Sequence, residues 1–149
     1  MTKIITKTTE ETKKWAHDYA QALEGGEIIG LIGDLGAGKT TFSQGLALGL
    51  GIKQNVNSPT YVIMKIYPVN IPGSSIKNLV HIDAYRLESE SDLEAIGALE
   101  YFGRKDTVVL IEWADKLALI LNKTKKQVIL INIDSPSQNQ RTIQIHKQN

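Results

Sequence analysis

One stretch, residues 33–40, restricts the possible folds of this chain more than any other part of the sequence. It reads GDLGAGKT and so completes the pattern G-x-x-x-x-G-K-[ST]. In such a loop the glycines let successive backbone N–H groups turn inward towards phosphate oxygens. Lys39 brings a positive charge to the β- and γ-phosphates, and the Thr40 hydroxyl can coordinate Mg²⁺. The stretch therefore predicts a phosphate-binding loop that takes a nucleoside triphosphate with Mg²⁺.

The segments around the loop have the order strand, loop, helix that this motif requires. Residues 27–32 form a short apolar run of strand length, and residues 41–50 fit a helix whose N-terminal dipole favours an anion. As a loop residue, Lys39 is expected to be exposed and to contribute little to the core. The residues of this region expected to contact the nucleotide are Gly33, Asp34, Leu35, Gly36, Ala37, Gly38, Lys39, Thr40 and Thr41.

Length and composition narrow the class of protein further. With 149 residues, 42% of them hydrophobic and 22% charged, the chain has the size and composition of one globular domain spanning residues 1–149. A net charge of +1 argues against a primary role in gripping nucleic acid, and the absence of cysteine excludes disulfides and thiolate metal sites. No apolar run approaches membrane-spanning length and the first residues lack a secretory signal, so we expect a cytoplasmic protein.

The spacing of apolar residues predicts an α/β protein with a P-loop NTPase-like, three-layer α/β/α architecture. Its central sheet should mix parallel and antiparallel strands, because the short link 134–140 implies antiparallel neighbours. Residues 107–113 form the most apolar predicted strand and should lie near the centre of the sheet. The other predicted strands are 3–7, 27–32, 61–67, 78–84, 127–133 and 141–146, and the predicted helices are 9–24, 41–50, 89–99 (broken around Gly97) and 114–121.

Two carboxylates follow apolar strands and are candidates for chemistry that a phosphate-binding loop alone does not supply. Asp83 comes after residues 79–82, and Glu112 comes after residues 108–111. Parallel strands deliver such side chains to the carboxyl edge of the sheet, where ligands bind in α/β folds. Triphosphate hydrolysis needs a carboxylate near Mg²⁺ and a group that orients the attacking water. We expect Lys39, Asp83 and Glu112 to be the catalytic residues; the alternative is that either carboxylate is a plain surface residue at a strand end.

Two further residues have both a functional and a structural interpretation. Trp113 follows Glu112 directly, and an indole beside a nucleotide site can stack on adenine, although a core tryptophan is the alternative. Thr60 lies in a turn-rich loop after the predicted helix 41–50, where a threonine can sense the γ-phosphate through Mg²⁺. A plain turn is the alternative for Thr60.

Four motifs together carry a resemblance to a known family. They are GDLGAGKTT at residues 33–41, NSPTY at 57–61, HIDAYR at 81–86 and IEW at 111–113. In this order and at these spacings they closely resemble the TsaE family, the bacterial ATPases of tRNA threonylcarbamoyladenosine biosynthesis. The resemblance spans nearly the whole chain and is weakest beyond Leu117, where little matches except Arg141 in the last predicted strand.

The resemblance implies a small ATPase that acts with the threonylcarbamoyl-transferase heterodimer of TsaD and TsaB. That complex modifies the adenosine after the anticodon of tRNA, so tRNA is an indirect partner through the complex. In the family, residues matching Thr40 and Glu112 hold Mg²⁺, and the motif containing Asp83 lies next to them. The residue matching Thr9 closes over the nucleotide from the first helix, and we extend the expected nucleotide contacts to Arg141.

Three rival classes remain to be weighed. A GTPase would need an [NT]-K-x-D guanine reader, and the nearest match, residues 122–125, reads NKTK and lacks the aspartate. This favours ATP and ADP as ligands.

A small-molecule kinase would clamp the phosphates with several arginines and a lid, whereas this chain has three arginines and no lid insertion. A non-catalytic, nucleotide-dependent interaction module is the third, because a P-loop chain without an arginine finger turns over slowly on its own.

Overall fold

A mixed sheet forms the centre of the protein, whose computed structural model describes residues 1–57 and 63–148. Within these residues the strands are β1 (Thr2–Thr6), β2 (Ile28–Ile32), β3 (Met64–Pro68), β4 (Asn78–Asp83), β5 (Thr107–Glu112), β6 (Val128–Asp134) and β7 (Arg141–Gln148). The helices are α1 (Thr9–Ala20), α2 (Lys39–Gly49), α3 (Glu90–Ala95) and α4 (Ala118–Lys123), with 3₁₀ turns at Ala98–Tyr101 and Ala114–Leu117.

The described strands follow the order β1-β7-β6-β2-β5-β4-β3 across the sheet. The inner strands β6, β2, β5 and β4 run parallel, whereas β1, β7 and β3 pair antiparallel with their neighbours. The pair of β6 and β7 is the one joined by the short link that implied antiparallel strands. Every residue of β5 is buried, as its apolar sequence predicts for an inner strand. The predicted mixed sheet is therefore confirmed.

Alternate side chains along the strands build a separate core on each face of the sheet. On one face Leu31 of β2 packs in a cluster with Phe42 of α2 and with α1. On the other face Val109 of β5 packs in a cluster with Leu93 of α3 and Leu121 of α4. Helices thus cover both faces, and the predicted α/β/α layering is confirmed.

Helices α1 and α2 touch through their backbones. A Cβ added to Gly45 would overlap the carbonyl oxygen of Lys13, and one added to Gly49 would overlap that of His17. Glycine is therefore required at both positions for the helices to approach this closely. Because Lys13 meets Gly45 and His17 meets Gly49, one turn later in each helix, the two helices run in the same direction at their contact.

Local signals set the ends of the helices. The Thr8 hydroxyl caps α1 by accepting from the Glu11 amide at 3.0 Å, and the Glu11 carboxylate accepts from the Lys7 amide at 2.7 Å, one residue before the cap. The predicted break around Gly97 is also present, since this glycine has a φ of 78° between α3 and the next 3₁₀ turn. Among the described residues, no helix has both the length and the apolar character needed to span a membrane.

Candidate functional site

The parallel strands bring the predicted loop and both predicted carboxylates to one edge of the sheet. Glu112 pairs in register with Leu31 of β2 on one side and with Asp83 of β4 on the other. The phosphate-binding loop leaves β2 just beyond Leu31 and enters α2 at Lys39. The candidate site therefore lies at the carboxyl ends of β2, β5 and β4, where the sequence places it.

The loop has the backbone conformation that its glycines allow. Gly36 and Gly38 have φ values of 79° and 110°, which side-chain-bearing residues rarely adopt. The Ala37 amide donates to the Asp34 carbonyl at 3.0 Å and closes the turn. Thr40 and Thr41 follow in the first turn of α2. The helix N-terminus thus faces the loop, as a phosphate site requires.

Lys39 is buried, with 6% of its surface exposed, so the expectation of an exposed loop lysine was wrong. The reason is that α2 begins at this residue and turns the side chain back across the loop. Its ammonium donates to the carbonyl oxygens of Gly33 at 2.6 Å and Asp34 at 2.9 Å and lies 3.9 Å from the centre of the Trp113 ring. Burial lowers the pKa of Lys39, while the negative charges of Glu112 and of more distant acidic groups act in the opposite direction.

Glu112 is 2% exposed and faces the start of α2. His81 Nε2 donates to Glu112 Oε2 at 2.6 Å, and Ser43 Oγ lies 3.5 Å from the same oxygen. The Ser43 hydroxyl itself donates to the Lys39 carbonyl at 2.8 Å, one turn back in α2. Glu112 is therefore a carboxylate fixed within the site and not a solvated strand end, which removes the plain surface interpretation for this residue.

Asp83 is half-buried beside Glu112 in the sheet. Its Oδ1 accepts from the Tyr85 amide at 2.9 Å, a local turn that orients the carboxylate at the end of β4. Its charge is among those that act on Lys39. The two predicted carboxylates thus lie side by side but in different surroundings.

The ring of Trp113 lies against the Lys39 ammonium, just after the end of β5. Trp113 is the one non-glycine residue with positive φ in the described parts of the chain, at 60°, and this conformation turns the chain sharply after Glu112. The Tyr85 ring meets the indole edge-on, with the ring centres 5.1 Å apart. Trp113 is half-buried, so it lines the site beside Lys39 and is not a fully enclosed core residue. Adenine stacking by Trp113 stays a prediction.

Arg141 and Thr9, the two predicted contacts farthest from the loop in sequence, belong to β7 and α1. One nitrogen of Arg141, Nη1, lies 2.9 Å from Ser135 Oγ and within hydrogen-bond distance of three backbone carbonyls of the β6–β7 turn, and these acceptors share its two hydrogens. A Cβ added to Gly38 would lie 3.1 Å from Arg141 Nε, so this side chain borders the loop. Thr9 is exposed in the first turn of α1, one turn before the contact of Lys13 with α2.

A groove separates the loop from the end of β6. Its volume is about 320 Å³, and it is lined by Asp34, Leu35, Gly36, Ala37, Ile133, Asp134 and Ser135. The predicted contact Thr60 lies outside the described residues, as do the other residues of its motif from 58 to 61. Its role stays a prediction.

The donor atoms at the site suit Mg²⁺ bound with a nucleotide. No group of three or more His, Asp or Glu side chains within residues 1–57 and 63–148 could hold a metal ion alone. Mg²⁺ commonly binds through one or two carboxylates together with substrate phosphates and water. A buried carboxylate at Glu112 and a hydroxyl at Thr40 fit that chemistry.

Sequence reasoning missed His81 and Ser43 as parts of the site. His81 was visible as a polar residue inside the apolar run 79–82, two residues before Asp83 and hence on the same face of β4. Ser43 is one turn after Lys39 in α2, so it shares the helix face of the loop lysine. Apart from its place in the HIDAYR motif, nothing in the sequence marked Tyr85 as part of the site.

Comparisons with known proteins agree with this geometry. The sequence model of a family described as "Threonylcarbamoyl adenosine biosynthesis protein TsaE" matches residues 6–143. The tRNA threonylcarbamoyladenosine biosynthesis protein TsaE of Bacillus subtilis is 42% identical over 125 residues, which cover 84% of this chain and 74% of the relative. The protein of the same name from Aquifex aeolicus is 33% identical over 146 residues, which cover 97% of this chain and 95% of the relative.

A solved structure has the same fold. The crystal structure of YdiB from Bacillus subtilis superimposes with a TM-score of 0.72 at 32% sequence identity. The match covers 98% of this chain and 84% of that chain. The predicted α/β fold of the P-loop type is therefore confirmed by a solved structure as well as by the strand order.

Proposed function

The chain belongs to the TsaE family of threonylcarbamoyl adenosine biosynthesis proteins, and on that premise we propose that it is an ATPase acting with the TsaD–TsaB threonylcarbamoyl-transferase. Membership gives the pathway, the biosynthesis of threonylcarbamoyladenosine in tRNA. The ATPase assignment rests on one observation, the buried Lys39 ammonium held against the phosphate-binding loop beside the buried Glu112. The proposed compartment is the cytoplasm.

Nucleotide binding is proposed to use the loop and Lys39 together. The carbonyl oxygens of Gly33 and Asp34 are neutral partners for the ammonium, whereas a phosphate brings negative charge. A nucleotide therefore offers the desolvated ammonium a stronger partner than it has in the free protein. Arg141 borders the loop at Gly38, and it is proposed as a further contact together with Thr9 of α1.

The metal is proposed to lie between Thr40 and Glu112. Mg²⁺ neutralises phosphate charge when it is bound with the nucleotide. Glu112 is the more suitable metal-side carboxylate because it is buried and fixed at the start of α2, where Thr40 also lies. Asp83, its neighbour across the strands, is then proposed to orient the attacking water.

The position of residues 122–125, the nearest match to a guanine-recognition motif, favours adenine over guanine as the base of the bound nucleotide. Residues 122–125 lie between α4 and β6. Because β6 runs parallel to β2, this segment is at the opposite edge of the sheet from the phosphate-binding loop. A reader there could not reach the base of a nucleotide bound at Lys39, so we propose ATP and ADP as the ligands.

The transferase is proposed to speed up hydrolysis by supplying charge that this chain lacks. Arg104 pairs with Asp106 before β5, at the edge away from the loop, and Arg141 is bonded to the β6–β7 turn. Arg86 is exposed three residues past Asp83. An arginine supplied by a partner can raise the rate of phosphoryl transfer about 10³–10⁵-fold. We propose that tRNA meets the complex chiefly through TsaD–TsaB, because this chain has a net charge of only +1.

Steady-state phosphate release tests the proposal. The isolated chain should hydrolyse ATP slowly, and purified TsaD–TsaB should raise the rate, with GTP a poor substitute. Lys39→Ala should remove nucleotide binding, whereas Lys105→Ala, an exposed lysine at the other edge of the sheet, should behave like the wild type. Brisk hydrolysis that the heterodimer leaves unchanged would contradict the proposal. Nucleotide binding without release under any condition would favour a non-catalytic interaction module.

A further inference from the structure

We propose that His81 is a positioning residue that holds Glu112 in the orientation needed to meet Mg²⁺. The inference rests on the proposed function, since it concerns the carboxylate assigned there to the metal. In this arrangement the imidazole holds Oε2 of the carboxylate, so Oε1 would be the oxygen left available to Mg²⁺. Carboxylates that bind metals are commonly fixed by a hydrogen bond of this kind to a neighbouring group.

The contact between the two side chains is short and buried. His81 Nε2 lies 2.6 Å from Glu112 Oε2, and His81 is fully buried. Ser43 also approaches Oε2, at 3.5 Å, but its hydroxyl proton goes to the Lys39 carbonyl at 2.8 Å. The imidazole is therefore the donor that fixes this oxygen among the described residues.

Among the described residues, the sheet places Glu112 within hydrogen-bond reach of the imidazole. His81 pairs in register with Leu110, and Glu112 is two residues further along β5 on the same face. The other ring nitrogen, Nδ1, is buried and has no hydrogen-bond partner among the described residues. Within residues 1–57 and 63–148 the side chain thus has one hydrogen bond, and that bond goes to the candidate metal ligand.

Packing alone does not account for a histidine at this position. Leu79, two residues earlier on the same face of β4, is also fully buried, which shows that an aliphatic side chain fits this layer. A buried polar atom without a partner destabilises the folded protein, and leucine at residue 81 would avoid that cost. The function of Glu112 gives a reason for the imidazole that core formation does not.

The test measures how much Mg²⁺ strengthens ATP binding, by titration calorimetry in excess EDTA and in excess Mg²⁺. In His81→Leu the Mg²⁺-dependent gain in ATP affinity should fall about tenfold, in the range found when groups behind metal ligands are removed. Affinity for ADP in EDTA should stay as in the wild type, because the loop and Lys39 are untouched. Leu79→Val is the matched control and should change thermal stability but not the Mg²⁺-dependent gain.

A pair of amide variants keeps the test informative if His81→Leu fails to fold. The His81→Gln side chain can place its Nε2 near that of histidine and should retain most of the gain. His81→Asn is one carbon shorter, cannot reach Oε2 and should lose it. A wild-type gain in His81→Leu or His81→Asn, or an equal loss in His81→Gln and His81→Asn, would overturn the role of His81. Absence of any gain in the wild-type protein would instead overturn the proposed metal site on which that role depends.

Discussion

Lys39 and Glu112 show how burial prepares the candidate site for a charged ligand. Both are charged residue types that are almost fully buried, and each has partners close by: loop carbonyls and an indole for Lys39, His81 for Glu112. Burial lowers the pKa of Lys39, with Glu112 the strongest influence in the other direction. Side chains held in this way need little reorganisation when phosphate and metal arrive.

Removing the hydroxyl of Tyr67 should stabilise the protein. Its oxygen is buried and has no hydrogen-bond partner among the described residues, so Tyr67→Phe should raise the free energy of unfolding by about 1 kcal/mol at neutral pH. Urea unfolding measures the change. Tyr19→Phe, which alters a half-buried tyrosine of α1, is the control and should have a smaller effect.

The same variant should change the response to alkaline pH. Burial raises the pKa of Tyr67 above its usual value of 10.0, so the unfolded chain loses this proton first. The raised pKa adds to the free energy of unfolding fully below about pH 10, and this contribution is lost as the pH rises through the pKa of Tyr67 in the folded protein. Tyr67→Phe should therefore lose less stability above pH 10 than the wild type does. An identical decline in both proteins would contradict the prediction.

Trp113 should report nucleotide binding by its fluorescence. Its ring lies 3.9 Å from the Lys39 ammonium, which is expected to change partners when phosphate binds. Adding ADP or ATP should change the emission of the wild type, and Trp113→Phe should remove most of that change. Trp15→Phe is the control, because Trp15 stacks on Tyr19 within α1. If Trp15→Phe lost the signal and Trp113→Phe kept it, Trp15 and not Trp113 would be the tryptophan that responds to the nucleotide.

At the scale of elements, the contact of α1 with α2 leaves no room for side chains. Gly45→Ala should lower the free energy of unfolding by about 3 kcal/mol, because its Cβ would overlap the Lys13 carbonyl oxygen and force the helices apart. Leu48→Ala, on the exposed side of the same helix, should cost much less. Urea unfolding of the two variants measures the difference. Equal, small losses would mean that the helices can separate without penalty.

Elements with strong local signals could be predicted from sequence, and contacts between distant side chains could not. The run before residue 33 and the short 134–140 link each act over a few residues, so their consequences were visible. Lys39 was assigned to an exposed loop because a motif does not tell where the following helix begins. The pairing of His81 with Glu112 depends on the register of β4 against β5, which no single segment encodes.

At the scale of the whole molecule, the site depends on strands that are far apart in sequence. Residues 31, 83 and 112 become neighbours only when β2, β4 and β5 pair in parallel. The antiparallel pair of β6 and β7 adds Arg141 beside the loop. If Thr9 and Arg141 contact the nucleotide as proposed, binding should change hydrogen exchange both in α1 and in β7.

The backbone contact of α1 with α2 has a consequence for hydrogen exchange. With Lys13 against Gly45 and His17 against Gly49, opening one helix must disturb the other, so the two should exchange their amide hydrogens as one cooperative unit. ADP binding at Lys39 should then slow exchange in α1 as well as in α2, and slow it less in α3. Mass spectrometry of peptic fragments with and without ADP measures this. Slower exchange confined to α2 would mean that the two helices open independently.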